Sequence, residues 1–195
     1  MSTTFRLESE RLYIIRFEPT DAHAEFLVKL FNTPLFIAGE GDTGINTTEK
    51  ALHQIRDGFI GKAFEKNGHG PYLISLHDGT LIGNVTMMRG DYTAPDVGFA
   101  LLPEYTGQGY ANEAALRLIE YATTSRESGG LGYAGVFGFT SNKNAKSKKA
   151  MERLGLENRG AYPLEAFGGH PSAVYVTKGM DEDLTVYGIK EGRLE

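Results

Sequence analysis

Two glycines, Gly107 and Gly109, stand two positions apart in "PEYTGQGYANEAALRLIEYA" (103–122), directly ahead of a helical pattern. Those residue types in that order carry a chemistry. The first amides of a helix have no carbonyl partner inside it, and the helix dipole adds partial positive charge there. Glycine lets the backbone approach an anion with no Cβ in the way. The stretch therefore reads as an anion site of the kind that holds phosphate. Two phosphate motifs do not fit it. The mononucleotide loop G-x-x-x-x-G-K-[ST] needs a lysine, and none follows Gly109. The dinucleotide fingerprint needs a third glycine three residues after the second, where Asn112 stands.

Composition bounds the remaining chemistry. The chain has 195 residues, long enough to bury a sizeable core, and predicts a single domain over 1–179 with a polar tail, 180–195, that the pattern does not place. It has no cysteine, which excludes disulfides, thiolate metal sites and a thiol nucleophile. No metal site is expected. The formal net charge is −5, whereas nucleic-acid binders are more often basic, so neither DNA nor RNA is expected as a partner. The opening "MSTTFRLESERLYIIRF" has no apolar run of signal-peptide length, and no window is long enough to span a membrane. A cytoplasmic protein is the expectation.

The elements that would carry the glycine turn follow from periodicity. "RLYIIRF" (11–17) reads as a strand. Thr20 or Asp21 caps a helix carrying Phe26, Leu27, Leu30 and Phe31. Thr47 or Thr48 starts a second, in which Leu52, Ile55, Phe59 and Ala63 form one stripe. Asp78-Gly79 between two apolar runs marks a hairpin. "DVGFALL" (96–102) is a further strand, then come the glycine turn and its helix, with Ala114, Ala115, Leu118, Ile119 and Ala122 on the apolar face. "GYAGVFGFT" (132–140) reads as a strand, "NKNAKSKKAMERLG" (142–155) as a helix stopped by Gly155, and "AVYVTK" (173–178) as a last strand. The order predicts a mixed α/β sheet, mostly antiparallel and flanked by helices.

Four stretches, in three separate parts of the chain, resemble one family. The six residues 106–111, "TGQGYA", match the pyrophosphate loop Q/R-x-x-G-x-G/A of the GNAT N-acetyltransferases in both small positions and depart at Thr106. "LESERLYIIRFEPTDA" (7–22), "DVGFALLPEY" (96–105) and "NAKSKKAMERLGL" (144–156) are similar to the opening strand, fourth strand and N-x-x-S helix of the branch that acetylates N-termini of ribosomal proteins. The resemblance covers roughly residues 5–178 and implies an acyl-CoA N-acyltransferase fold.

It also implies a reaction: transfer of an acetyl group from acetyl-CoA to a primary amine, a protein N-terminus or a small molecule, by direct attack within a ternary complex. Amides of Thr106, Gly107, Gln108, Gly109, Tyr110 and Ala111 would hold the pyrophosphate. The backbone of Phe99, Ala100 and Leu101 would pair with the pantetheine arm, and Asn144 would bond it further along. Lys146 belongs to a basic run, with Lys143, Lys148, Lys149 and Arg153, that could attract the phosphates or simply be a solvated helix face. An amine must lose a proton, and Asp96, Glu165 and His170 are the candidate acceptors. The family tyrosine that protonates the leaving thiolate is Met151 here, which leaves Ser147 as a possible helper or a helix-start residue. A non-catalytic acyl-CoA-binding module on the same fold is the alternative. The remaining histidines, His23, His53, His69 and His77, read as surface or turn residues. Dimerisation is common among the proteins it resembles, and a monomer or homodimer is the expectation.

Overall fold

A computed structural model of the chain describes residues 5–190 and 192–193. Its strands are β1 (Arg6–Glu8), β2 (Leu12–Arg16), β3 (Pro71–Leu76), β4 (Leu81–Met88), β5 (Asp96–Leu101), β6 (Phe137–Ser141), β7 (Glu157–Leu164) and β8 (His170–Val176). Its α-helices are α1 (Asp21–Phe31), α2 (Pro34–Glu40), α3 (Thr48–Arg56), α4 (Phe59–Asn67), α5 (Tyr110–Thr123) and α6 (Ala145–Arg153). The strands form an eight-stranded sheet in the order β1-β2-β3-β4-β5-β6-β8-β7. β1 through β4 pair antiparallel, as do β6 with β8 and β7 with β8, whereas β5 and β6 run parallel. This is the mixed, mostly antiparallel sheet that the pattern of elements predicts.

Local signals placed many of the boundaries. Thr20 caps α1 by accepting from the His23 N–H, and Thr47 caps α3 by accepting from the Lys50 N–H. Asp78-Gly79 turns β3 into β4, with Gly79 at φ +89° and Asp78 Oδ1 accepting from the Thr80 N–H. Gly155, at φ +73°, stops α6, and the Leu156 N–H reaches back to the Met151 carbonyl.

Other elements depart from the pattern. The stripe through Leu52, Ile55, Phe59 and Ala63 is two helices, broken at Asp57-Gly58. Gln54 Oε1 accepts from the Phe59 N–H and so caps α4 from the preceding helix, and any Cβ at Gly58 would lie 2.6 Å from the Gln54 Cα. The break leaves Phe59 at 38% exposure, outside the core the stripe assigned it to. The strand expected from Gly132 begins only at Phe137, since the N–H groups of Leu131, Gly132 and Tyr133 donate to the carbonyls of Tyr121, Thr124 and Ala122 around the end of α5 rather than to a strand. α2 and β7 have no counterpart in the sequence reading. His69 is fully buried rather than at the surface.

The chain divides into two compact units, Met1–Thr86 with Phe99–Arg117 and Met87–Gly98 with Leu118–Glu195. The core of the first unit joins Leu27, Leu30 and Phe31 of α1 to Ile55, Ile60, Leu73 and Leu102. That of the second gathers Tyr92, Phe137, Leu164, Val174 and Val176 with Met180, Leu184 and Ile189. The last three come from the segment the sequence did not place, whose residues Leu184–Tyr187 form a 3₁₀ turn.

Candidate active site

In the first unit, β5 delivers its second half, Phe99 to Leu101, into a 3₁₀ turn (Pro103–Tyr105), and the glycine turn follows before α5 begins at Tyr110. Gly107 and Gly109 are left-handed, at φ +76° and +86°. An L-residue with a side chain resists that conformation by about 1–2 kcal/mol. The turn stands in solvent, and a Cβ on Gly107 would meet nothing within 4 Å.

The turn's amides divide into two kinds. The Thr106 N–H and its hydroxyl both donate to the Pro103 carbonyl, so Thr106 has no donor left for a ligand. The N–H groups of Gly107, Gln108, Gly109, Tyr110, Ala111 and Asn112 donate to no described group. The Glu113 N–H is the next one used, on the Gly109 carbonyl. A run of unfilled amides at the start of a 14-residue helix is a cradle for an anion. The residues present fit a pyrophosphate on this count, with the donors shifted one residue later than the motif implied.

Sequence reasoning missed what braces this turn. Arg11 Nε donates to Glu113 Oε2 at 2.7 Å, and Arg11 Nη1 donates to the Gln108 carbonyl at 3.0 Å. Ser9 Oγ donates to Glu113 Oε1 at 2.7 Å. No local spacing could have signalled it, because the partners lie about a hundred residues apart.

Gly83 of β4 packs against the end of β5, where a Cβ would come within 2.3 Å of the Ala100 carbonyl oxygen. Phe99 and Ala100 are half-buried and Leu101 is buried. Asn84, beside Gly83, is buried, and its Oδ1 has no hydrogen-bond partner among the described residues.

The second unit holds Asp96, Asn144, Lys146, Ser147 and Glu165. Asp96 opens β5, and burial pushes its carboxyl up to about 7, offset only in part by a hydrogen bond from its own amide. Its charge, with those of Asp91 and Glu165, adds to burial in raising the Tyr92 hydroxyl. Glu165 is exposed and ion-paired with Lys190. His170, exposed, starts β8.

Asn144 caps α6, its Oδ1 accepting from the Ser147 N–H at 3.1 Å. The cap engages the oxygen only, leaving the Nδ2 hydrogens as donors. Ser147 is half-buried with no described partner for its hydroxyl. Lys146 is exposed, while the neighbouring Lys148 donates to Asn142 Oδ1 at 2.7 Å. Among the described residues no group of three or more His, Asp or Glu could hold a metal ion, and no helix is long and apolar enough to cross a membrane.

A mixed sheet with a left-handed glycine turn between a strand and a helix is the frame of an anion site, and comparison with known proteins gives the fold and the family. The profile of the acetyltransferase (GNAT) domain matches residues 11–157, and the chain belongs to that family. Among solved structures, an acetyltransferase from Agrobacterium tumefaciens is 23% identical over 90% of this chain and 95% of its own, with TM-score 0.67. A ribosomal-protein-S5-alanine acetyltransferase from Vibrio fischeri is 17% identical over 92% and 99%, with TM-score 0.68. A microcin C7 self-immunity acetyltransferase, solved with acetyl-CoA and AMP, is 18% identical over 87% and 93%, with TM-score 0.67. These likenesses are of fold. The family expectation stands: this is an acetyltransferase, and acetyl-CoA is the donor its class uses.

Proposed function

We propose that the protein transfers the acetyl group of acetyl-CoA to a primary amine, on a protein N-terminus or a small molecule, by direct attack in a ternary complex. The observation that carries this is the run of six unfilled amides from Gly107 to Asn112, in a chain of this family. They would hold the donor's pyrophosphate, with Asn144 Nδ2 a donor to the arm. The absence of cysteine removes a thiol acyl-enzyme from consideration. A fold neighbour that acetylates an alanine of a ribosomal protein supports an amine as acceptor.

In the reaction the neutral amine nitrogen bonds to the thioester carbonyl carbon, the C–S bond breaks, and the sulfur leaves with the electron pair. One proton must leave the amine. Asp96 is the base this reading assigns, because a carboxyl titrating near 7 is a far stronger proton acceptor than one near 4. Glu165, held in an ion pair with Lys190, forms part of the surroundings. Ser147 is the one hydroxyl of α6 and serves the departing sulfur as a hydrogen-bond donor.

The test is thiol release with a panel of amines and N-terminal peptides, beside calorimetry with CoA. Wild type should bind CoA and release thiol with at least one acceptor. Gly109→Val should raise the CoA Kd by about tenfold or more, since its branches crowd both the ligand path and Arg11. Binding without turnover on any acceptor would favour the acyl-CoA-binding module instead. Unchanged affinity in folded Gly109→Val would remove the turn from the donor site.

A further inference from the structure

Arg11 belongs to none of the motifs that carry the donor site, yet within the first unit it is fixed from several sides. Its backbone N–H donates to Glu113 Oε1 at 2.8 Å. Its guanidinium uses Nε on Glu113 Oε2 at 2.7 Å and Nη1 on the Gln108 carbonyl at 3.0 Å. The guanidinium carbon also lies 4.5 Å from the centre of the Tyr110 ring. Glu113 is the anchor. Burial would raise its carboxyl, but hydrogen bonds from Ser9 and Arg11, with the Arg11 charge, hold it below the usual range and therefore ionised.

The contact on Gln108 has a geometric consequence. A peptide group is planar, and no cis peptide occurs among the described residues, so the Gln108 carbonyl and the Gly109 N–H point in opposite directions from one plane. Arg11 grips the carbonyl end. The amide end is thereby turned away from Arg11, and like the neighbouring amides it donates to no described group. Glycine at 109 leaves this plane freer to rotate on that side, since Gly109, at φ +86°, accepts either sign of φ. A freely rotating plane would present its amide part of the time only. Nη2 comes within 3.3 Å of where a Cβ on Gly109 would sit, so the guanidinium also closes the space behind the turn.

Energetics separate this role from one in stability. The Arg11 and Glu113 side chains are 42% and 16% exposed, and ion pairs at such surface sites contribute about 0–1 kcal/mol to folding. A clamp of that size has little weight in the whole fold and considerable weight in one peptide plane.

We propose that Arg11 is a positioning residue of the donor loop: anchored by Glu113, it holds the Gln108 carbonyl and so aims the Gly109 amide at the pyrophosphate of the bound donor. This rests on the reading of the turn as the donor site. The guanidinium's fixed fork is essential to it. A lysine keeps the charge but has a single flexible ammonium, which cannot span a carboxylate and a carbonyl in a set geometry.

The experiment is CoA calorimetry and steady-state kinetics on wild type, Arg11→Gln, Arg11→Lys, Glu113→Gln and the Arg11→Gln/Glu113→Gln double variant, each with a melting curve. Arg11→Gln should raise the CoA Kd about tenfold. Arg11→Lys should fall with it rather than with wild type. Glu113→Gln should shift Kd in the same direction, and the double variant should be no worse than Arg11→Gln, as for two parts of one unit. The donor KM should follow Kd, while the acceptor KM does not. A structural defect would instead lower the melting temperature and move both KM values together.

A wild-type Kd in Arg11→Gln overturns the proposal. So does Arg11→Lys at the wild-type Kd while Arg11→Gln is weakened, which would reduce Arg11 to a charge. If Arg11→Gln does not fold, Arg11→Lys and Glu113→Gln decide alone. A wild type that binds no CoA fails at the earlier step and takes the donor reading with it.

Discussion

At the scale of single residues, Asp96 carries the sharpest consequences. Burial raises its carboxyl to about 7, from an ordinary value of 3.8. With Asp96 as the proposed base, kcat/KM should climb with pH through a midpoint near 7, and Asp96→Asn should lower kcat by roughly 10²–10⁴-fold and erase that limb. Stability runs the other way. Between the two values the folded chain keeps this proton and the unfolded chain has released it, so protonation favours the fold and raising the pH withdraws that support. Asp96→Asn, neutral at every pH, should therefore melt higher than wild type near pH 8, with the advantage vanishing near pH 4. Equal melting temperatures at both pH values would mean the carboxyl is ordinary. The position of Asp96 at a strand start was legible in the sequence; its proton affinity was not, because that depends on what covers it. Thr106 shows the reverse case. The motif offers its amide, and a short-range bond to Pro103 has already taken it.

At the scale of elements, β4 and β5 meet at Gly83 through closeness of approach rather than an unusual dihedral. A Cβ there would stand 2.3 Å from the Ala100 carbonyl oxygen and 2.4 Å from Leu101 Cδ2. The first neighbour is backbone in the strand that leads into the glycine turn, so it can yield only by moving that strand. Gly83→Ala should cost about 1–3 kcal/mol in urea denaturation and also weaken CoA binding. Gly79→Ala is the control: nothing lies within 4 Å, and only its φ of +89° resists. Loss in the control alone would contradict the packing argument.

Elements whose signals are local were legible: the threonine caps of α1 and α3, the Asp78-Gly79 turn, and the Gly155 stop. The break between α3 and α4 was not, since Gly58 and Gln54 act there through a contact that an apolar stripe does not encode. β7 was hidden because Gly160, at φ +104°, and Pro163 interrupt its alternation, and its register shifts between Asn158 and Gly160.

At the scale of the whole molecule, each compact unit has its own core, and that of the second depends on the end of the chain. Met180, Leu184 and Ile189 are 4%, 3% and 1% exposed. Burying side chains of this size contributes about 1.5–3 kcal/mol each, against a net stability of roughly 5–15 kcal/mol. A chain ending at Gly179 should therefore lose cooperative melting or become insoluble, and a truncated protein with the wild-type melting temperature would refute this. Polar composition hid the role of that segment: three apolar residues spaced four and five apart in an acidic stretch look like solvated chain until the core they enter is known. The Arg11–Glu113 clamp has its own consequence at this scale. It joins residues 102 positions apart, so the turn it shapes comes into being only when the ends of a long loop have met. An unfolded chain offers nothing for the donor to recognise. Each donor molecule bound thus draws the equilibrium toward the folded form by mass action. The supply of acetyl-CoA acts on this protein twice, as a reactant and as a thermodynamic weight on its own catalyst.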